Sequence, residues 1–327
     1  MRAAILAVAV LLGGCGPGGS PALARLHPCL LDEGPTDAFC GTLRVFEDRA
    51  AEDRSADARF ASDRAPGQLA AAEHHAAPQR RTIDLKIVVA PALKRNARPD
   101  PLFVFEGGPG GGAATLAPER LPMFRRFQID RDIVLVDQRG TGASNPLDCP
   151  PDPADEDDVR SLETYPVSRY RTCLDRLQAD PRHYTTAVAM DDIDDVRASL
   201  GYDQINLWGG SYGTRAALVY LRRHERAVRS VVLDGVAPTD MRLPLFMARD
   251  SQRALDRLLD DCARDAVCSR EYPDLRGIVS RLWARLAERP TVVLPHPRTG
   301  QLQRVTMTPR LVAAVVFQAL YAPDVAA

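Results

Sequence analysis

Ile205-Asn206-Leu207-Trp208-Gly209-Gly210-Ser211-Tyr212-Gly213-Thr214 is the stretch on which the reading of this 327-residue chain turns. Ile205 to Trp208 reads as a short strand, and Thr214 to His224 has the apolar spacing of a helix. Between them lies a G-x-S-x-G frame. A sharp strand-to-helix turn forces the serine into strained backbone geometry, and only small neighbours let the chain pass. The hydroxyl then stands at a helix N-terminus, where backbone N–H groups and the dipole stabilise developing negative charge. The frame alone is a weak signal; its place between a strand and a helix makes it a strong one. The competing reading is a glycine-rich turn with an idle serine. Ser211 is therefore the candidate nucleophile.

Upstream, from Thr82 onward, Ile83, Leu85, Ile87 and Val89 recur at every second position, as in a half-buried strand. Pro101 to Phe105 and Ile133 to Val136 are short apolar runs, ended by Glu106-Gly107-Gly108-Pro109-Gly110-Gly111-Gly112 and by Asp137-Gln138-Arg139-Gly140. Ala187 to Leu200 reads as a helix stopped by Gly201, and Val228 to Leu233 as a further strand. Apolar strands alternating with helices predict an α/β, doubly wound, mainly parallel sheet covered on both faces. In such a sheet the first βα loop and the residue after the nucleophile supply oxyanion donors, which makes the Gly108 and Tyr212 N–H groups the candidates. A phosphate loop is the alternative for the glycines, but no G-K-[ST] follows and no G-x-G-x-x-G follows a strand.

Four motifs in order carry a resemblance: Glu106 to Gly111, Asp137 to Ser144, Gly209 to Gly213, and Leu233-Asp234-Gly235-Val236. From Cys29 to Tyr321, apart from one insertion, the chain resembles the proline iminopeptidase and tripeptidyl aminopeptidase family. The resemblance implies an α/β-hydrolase fold with a helical cap, cleaving short peptides from a free amino end by acyl transfer. It also implies Ser211 as nucleophile, with Gly108 and Tyr212 as oxyanion donors. An esterase or lipase on the same scaffold, and an inactive or purely binding module, are the rival readings, because specificity lives in the cap and pockets.

One departure stands out. Family members carry the acid and the histidine on loops after two further strands beyond the cap, in the order Ser, Asp or Glu, His. After Pro238 this sequence has helical stretches at Leu245 to Cys262, Leu275 to Ala287 and Arg310 to Tyr321, with a hairpin at Val292 to Val305 between the last two. These read as a partial helical cap (238–327) with the last strands missing. Truncation at the C-terminus is thus the expectation, leaving an unprotected sheet edge. No base is identifiable. His224 lies about 20 Å along the helix from Ser211 at 1.5 Å per residue, and His296 belongs to the hairpin. His27, His74, His75 and His183 fall on tether, insertion and surface loop. Asp234 is the one candidate acid, competing with a structural turn aspartate. Asp137 and Arg139 read as braces of their turn, and Asp191-Asp192-Ile193-Asp194-Asp195 as a solvated helix face.

The remaining signals concern location. Lys plus Arg (42) nearly cancel Asp plus Glu (43), so nothing argues for nucleic acid or an anionic surface as partner. Arg2 and the apolar run Ala3 to Leu12 describe a secretory signal (1–15), and Leu12-Gly13-Gly14-Cys15 resembles a bacterial lipobox with Cys15 lipidated. The expected product is exported: a lipoprotein on the periplasmic or extracellular side, held to the membrane through Cys15 alone, or a secreted protein if no lipid is attached. Residues 16–28 read as a tether, 29–237 as the hydrolase core, and 50–79 within it as a disordered insertion. Cys29, Cys40, Cys149, Cys173, Cys262 and Cys268 form three local couples. Of fifteen possible pairings the nearest-neighbour set is expected, with buried free thiols as the alternative. No histidine has metal-ligand spacing from a couple, and the sequence names no metal and no organic cofactor. The implied partner is a short peptide or ester substrate.

Overall fold

A computed structural model describes residues 25–31, 37–49, 81–149, 167–296 and 299–321. Cys15, the tether up to residue 24 and the stretch 50–79, with His74 and His75, lie outside them. The described residues form two compact units: one takes in the chain up to Asp148 and Leu177–Thr239, the other Cys149–Arg176 and Asp240 onward.

The first unit is built on a seven-stranded sheet, β1 (His27–Leu30), β2 (Asp37–Phe46), β3 (Thr82–Ala90), β4 (Leu102–Phe105), β5 (Ile133–Val136), β6 (Ile205–Gly210) and β7 (Val228–Asp234). Their order is β1-β2-β3-β5-β4-β6-β7. The chain from β5 to β7 pairs parallel, while β1, β2 and β3 add an antiparallel ribbon beside β5. β2 is ten residues long, and its pairing with β3 is continuous from Phe39 to Phe46. β1 takes in His27 and Pro28, the end of the stretch read as a tether, and Cys29–Cys40 staples it to β2.

Side-chain alternation decides the layers. Leu85, Ile87, Val89, Phe103, Phe105, Val134, Val136 and Leu207 point to one face. There they meet α1 (Thr186–Ser199) through Met190, Ile193 and Val196, and α2 (Tyr212–Arg223) through Ala216, Ala217 and Tyr220. Val88, Leu102, Val104, Ile133 and Leu135 point to the other face, against Ala113, Ala114, Leu121 and Phe124. Trp208 joins this second layer, its ring set edge-on to Phe124 at 5.1 Å. β4 and β5 are buried along their whole length, as expected for strands covered on both faces. β7 pairs with β6 and leaves Val232 exposed.

The second unit holds a helix, Val167–Arg176, tied by Cys149–Cys173. It continues with α3 (Met247–Arg264), α4 (Leu275–Ala287), α5 (Pro309–Leu320) and the hairpin β8 (Thr291–Pro295) with β9 (Leu302–Thr306). Asp274 caps α4 by accepting from Gly277 N–H at 3.1 Å, and Thr308 caps α5 by accepting from Leu311 N–H at 3.1 Å. Met247, Leu255, Trp283 and Phe317 line a cavity of about 460 Å³ among these helices. Cys262–Cys268 closes the end of α3. All three disulfides join nearest neighbours.

Candidate active site

Parallel pairing of β4 with β6 sets Phe105 opposite Gly209. The glycine loop leaving β4 and the turn leaving β6 therefore emerge side by side at the carboxyl ends of the strands. Two glycines make this possible. A Cβ on Gly213 would strike the Phe105 carbonyl, and one on Gly209 would strike the Gly213 carbonyl. The first turn of α2 thus rests directly on strand backbone, which is the physical reason for glycine at both ends of the frame.

Ser211 stands at the apex with φ +53° and ψ −119°. A non-glycine residue there costs about 1–3 kcal/mol and persists only when its surroundings hold it. Here they do. Ser211 N–H donates to the Asp234 carbonyl at 2.8 Å, and the Ser211 carbonyl accepts from Thr214 Oγ1 at 2.6 Å and Thr214 N–H at 3.0 Å. Thr214 Oγ1 in turn accepts from Ala237 N–H at 2.7 Å. The Ser211 side chain makes no capping bond to its own helix and is exposed. It faces the glycine loop: a Cβ placed on Gly107 would lie 3.1 Å from Ser211 Cβ and 3.7 Å from Oγ.

The loop is folded back on itself by Gly111 N–H donating to the Gly107 carbonyl at 3.2 Å, and Gly108 has φ +116°, where a side chain would be strained. Among the described residues neither Gly108 N–H nor Tyr212 N–H has a hydrogen-bond partner. The Tyr212 hydroxyl is fixed by Thr186 Oγ1 at 2.7 Å.

Asp137 is fully buried and braces two turns at once. Its carboxylate accepts from Thr115 N–H (2.9 Å), Thr115 Oγ1 (2.7 Å) and Ala143 N–H (2.9 Å). Arg139, also buried, forks onto Asp192 at 2.5 and 2.8 Å and donates to the carbonyls of Phe46, Glu47 and His183. That pairing corrects the reading of the aspartate run as a solvated face. Asp192 is buried, Asp195 pairs with Arg49, and Asp191 and Asp194 pair with Arg223 and Arg197. Apart from Arg197, three residues beyond Asp194, the partners lie far off in sequence and leave no local signal of the pairing.

The acid and base candidates are accounted for one by one. Asp234 uses its carbonyl to hold Ser211, while its side chain is exposed and has no partner among the described residues. His224 is held by Asp191 at 3.0 Å and Asp194 at 3.5 Å, at the far end of α2. His183 faces Asp180 and Asp48, His27 opens β1, and His296 accepts from Thr299 N–H in the second unit. None of these pairings involves Ser211. The described residues include no group of His, Cys, Asp or Glu able to hold a metal ion, and no helix long and apolar enough to cross a membrane. Glu106, read from sequence only as the start of the glycine loop, is a buried carboxylate at the site's edge, paired with Arg120 Nε at 2.6 Å.

A serine raised on a strand-to-helix turn beside a glycine loop, at the carboxyl ends of parallel strands, is the layout of an α/β hydrolase. A profile described as alpha/beta hydrolase fold matches residues 100–308, more than half of the sequence, and the chain belongs to that family. Serine protease Hip1 of Mycobacterium tuberculosis is 28% identical over 248 residues, covering 68% of this chain and 46% of that protein. Tripeptidyl aminopeptidase of Streptomyces lividans is 30% identical over 158 residues (43% and 29%), and proline iminopeptidase of Neisseria gonorrhoeae 29% over 163 (49% and 38%). The chain spans about half the length of these curated relatives, or less.

Proposed function

We propose that Ser211 is the nucleophile of a serine peptidase that removes residues from the free amino end of short peptides through an acyl-enzyme. Gly108 and Tyr212 N–H groups would hold the oxyanion. The observation that carries this reading is the exposed Ser211 side chain, held at positive φ against the glycine loop and unused as a cap. The peptidase names of the relatives support the substrate class. An acyl transfer of this kind needs a base to take the Ser211 proton, and the paired histidines above do not offer one. We therefore place the acid and base in sequence outside the described residues, as in a longer product, with Asp234 as the alternative acid. The test is labelling by a fluorophosphonate probe, in this chain and in any product of a reading frame that continues past codon 327. Labelling that Ser211→Ala abolishes supports the proposal; a folded longer product that never labels refutes it. Equal turnover of amino-blocked and free-amine peptides would favour an esterase-like enzyme instead.

Export with a lipid on Cys15 is the matching proposal for location. Three disulfides support an oxidising compartment. Membrane association that survives Cys15→Ser would overturn the lipid anchor.

A further inference from the structure

The turn that follows β5 holds one residue differently from its neighbours. Asp137 and Arg139 are buried and fully engaged, the first by Thr115 and Ala143, the second by Asp192 and three backbone carbonyls. Between them, the Gln138 carbonyl accepts from Thr141 N–H at 3.0 Å and Thr141 Oγ1 at 2.8 Å. The backbone at Gln138 is therefore fixed from both sides. Its side chain is different: the residue is only 8% exposed, yet its carboxamide has no partner among the described residues. No buried side-chain N or O among them lacks a partner, so this carboxamide meets solvent. It does so in a cavity of about 210 Å³ beside the glycine loop, which Gln138 lines together with Gly111 and Tyr212.

The other polar side chains of that cavity are already engaged. Glu106 pairs with Arg120, Arg139 with Asp192, Tyr184 with Glu47, and Thr186 with Tyr212, while the Thr141 and Thr185 hydroxyls bond to backbone. Among the described lining residues, Gln138 alone has a polar side chain wholly free for an occupant. A carboxamide presents an acceptor and two donors in one plane. The N–H and C=O of one extended residue point the same way, as paired strands use them, and complement it. An ester oxygen in place of that N–H would set a lone pair against Gln138 Oε1. We infer that Gln138 is a specificity-determining residue: it reads the main-chain N–H and C=O of one substrate residue beside the scissile bond, and so selects peptides over esters. This rests on the peptidase reading of Ser211 and names a residue that enforces it.

Binding tests it without turnover. The full chain carrying Ser211→Ala is titrated calorimetrically with trialanine amide and with its two depsipeptide analogues, each having one internal N–H replaced by an ester oxygen. At least one analogue binds about tenfold or more weaker than the peptide, as a lost hydrogen bond and an orphaned acceptor imply. Gln138→Met fills the same space without polar atoms and abolishes that gap; Gln138→Glu keeps the acceptor and retains it. A folded chain that binds neither the peptide nor the analogues refutes the peptide reading itself. Equal binding of all three refutes the assignment of Gln138 alone, as does a gap that survives in folded Gln138→Met or vanishes in folded Gln138→Glu.

Discussion

The two units carry apolar residues at similar periods but remove them from water to different extents. In the first, both faces of the sheet are packed, and β4, β5 and much of β3 are buried. In the second, the buried apolar residues among those described are Leu259, Cys262, Leu286 and Leu311, whereas Ile278, Leu282, Val315 and Tyr321 are exposed. Its order rests more on local devices: two disulfides, the caps of α4 and α5, and Arg276 paired with Asp256 and Asp260. Long-range burial builds the unit that holds the candidate nucleophile; short-range ties build the other.

The contrast can be broken most directly at Arg139. Removing it by Arg139→Ala leaves Asp192 buried with less compensation, and the first unit should lose about 3–5 kcal/mol in a urea titration. A loss under about 1 kcal/mol would show that the pair behaves as a surface ion pair. Truncating matched aromatics sharpens the comparison: Phe103→Ala should cost about 3–5 kcal/mol, while half-buried Phe317→Ala should cost about half of that or less. Equal costs would erase the distinction between the units. Reduction should act in the opposite sense. Each disulfide restrains the unfolded chain by about 2–3 kcal/mol, and two of the three lie in the second unit. Dithiothreitol should therefore lower the melting of that unit more, as followed by calorimetry.

The smallest effect is acid lability. Burial alone would raise the carboxyls of Asp100, Asp191 and Asp194. Hydrogen bonds and charges outweigh it and hold all three below the usual range: Asn206, Arg131 and Arg229 for Asp100; Arg223 and His224 for Asp191; Arg197 and Tyr220 for Asp194. A depressed carboxyl stabilises the fold above its unfolded pKa of about 3.9 and loses that contribution as pH falls below it. The first unit should weaken below about pH 4. Comparable weakening of the second, whose depressed Asp250 and Asp274 are exposed, would count against this.

Much of the fold was legible because its signals are local. The alternation of Ile83 to Val89, the runs at Leu102 and Ile133, and the helix Leu275 to Ala287 are written in neighbouring residues, and so is the turn at Ser211. What escaped depends on distant partners. The full length of β2 follows from pairing with β3, and the Asp191 to Asp195 run is neutralised by Arg49, Arg139 and Arg223. Glu106 reads as a loop residue until Arg120 and the cavity stand beside it.

Trp208 stacks edge-on with Phe124 three residues before Ser211, and Trp283 lines the cavity of the second unit. The sequence has two tryptophans, one in each unit. Intrinsic fluorescence is therefore already partitioned: Trp283→Phe leaves an emission reporting the sheet and the Ser211 turn, and Trp208→Phe leaves one reporting the helices. Unlabelled protein can reveal whether the units melt together or in turn.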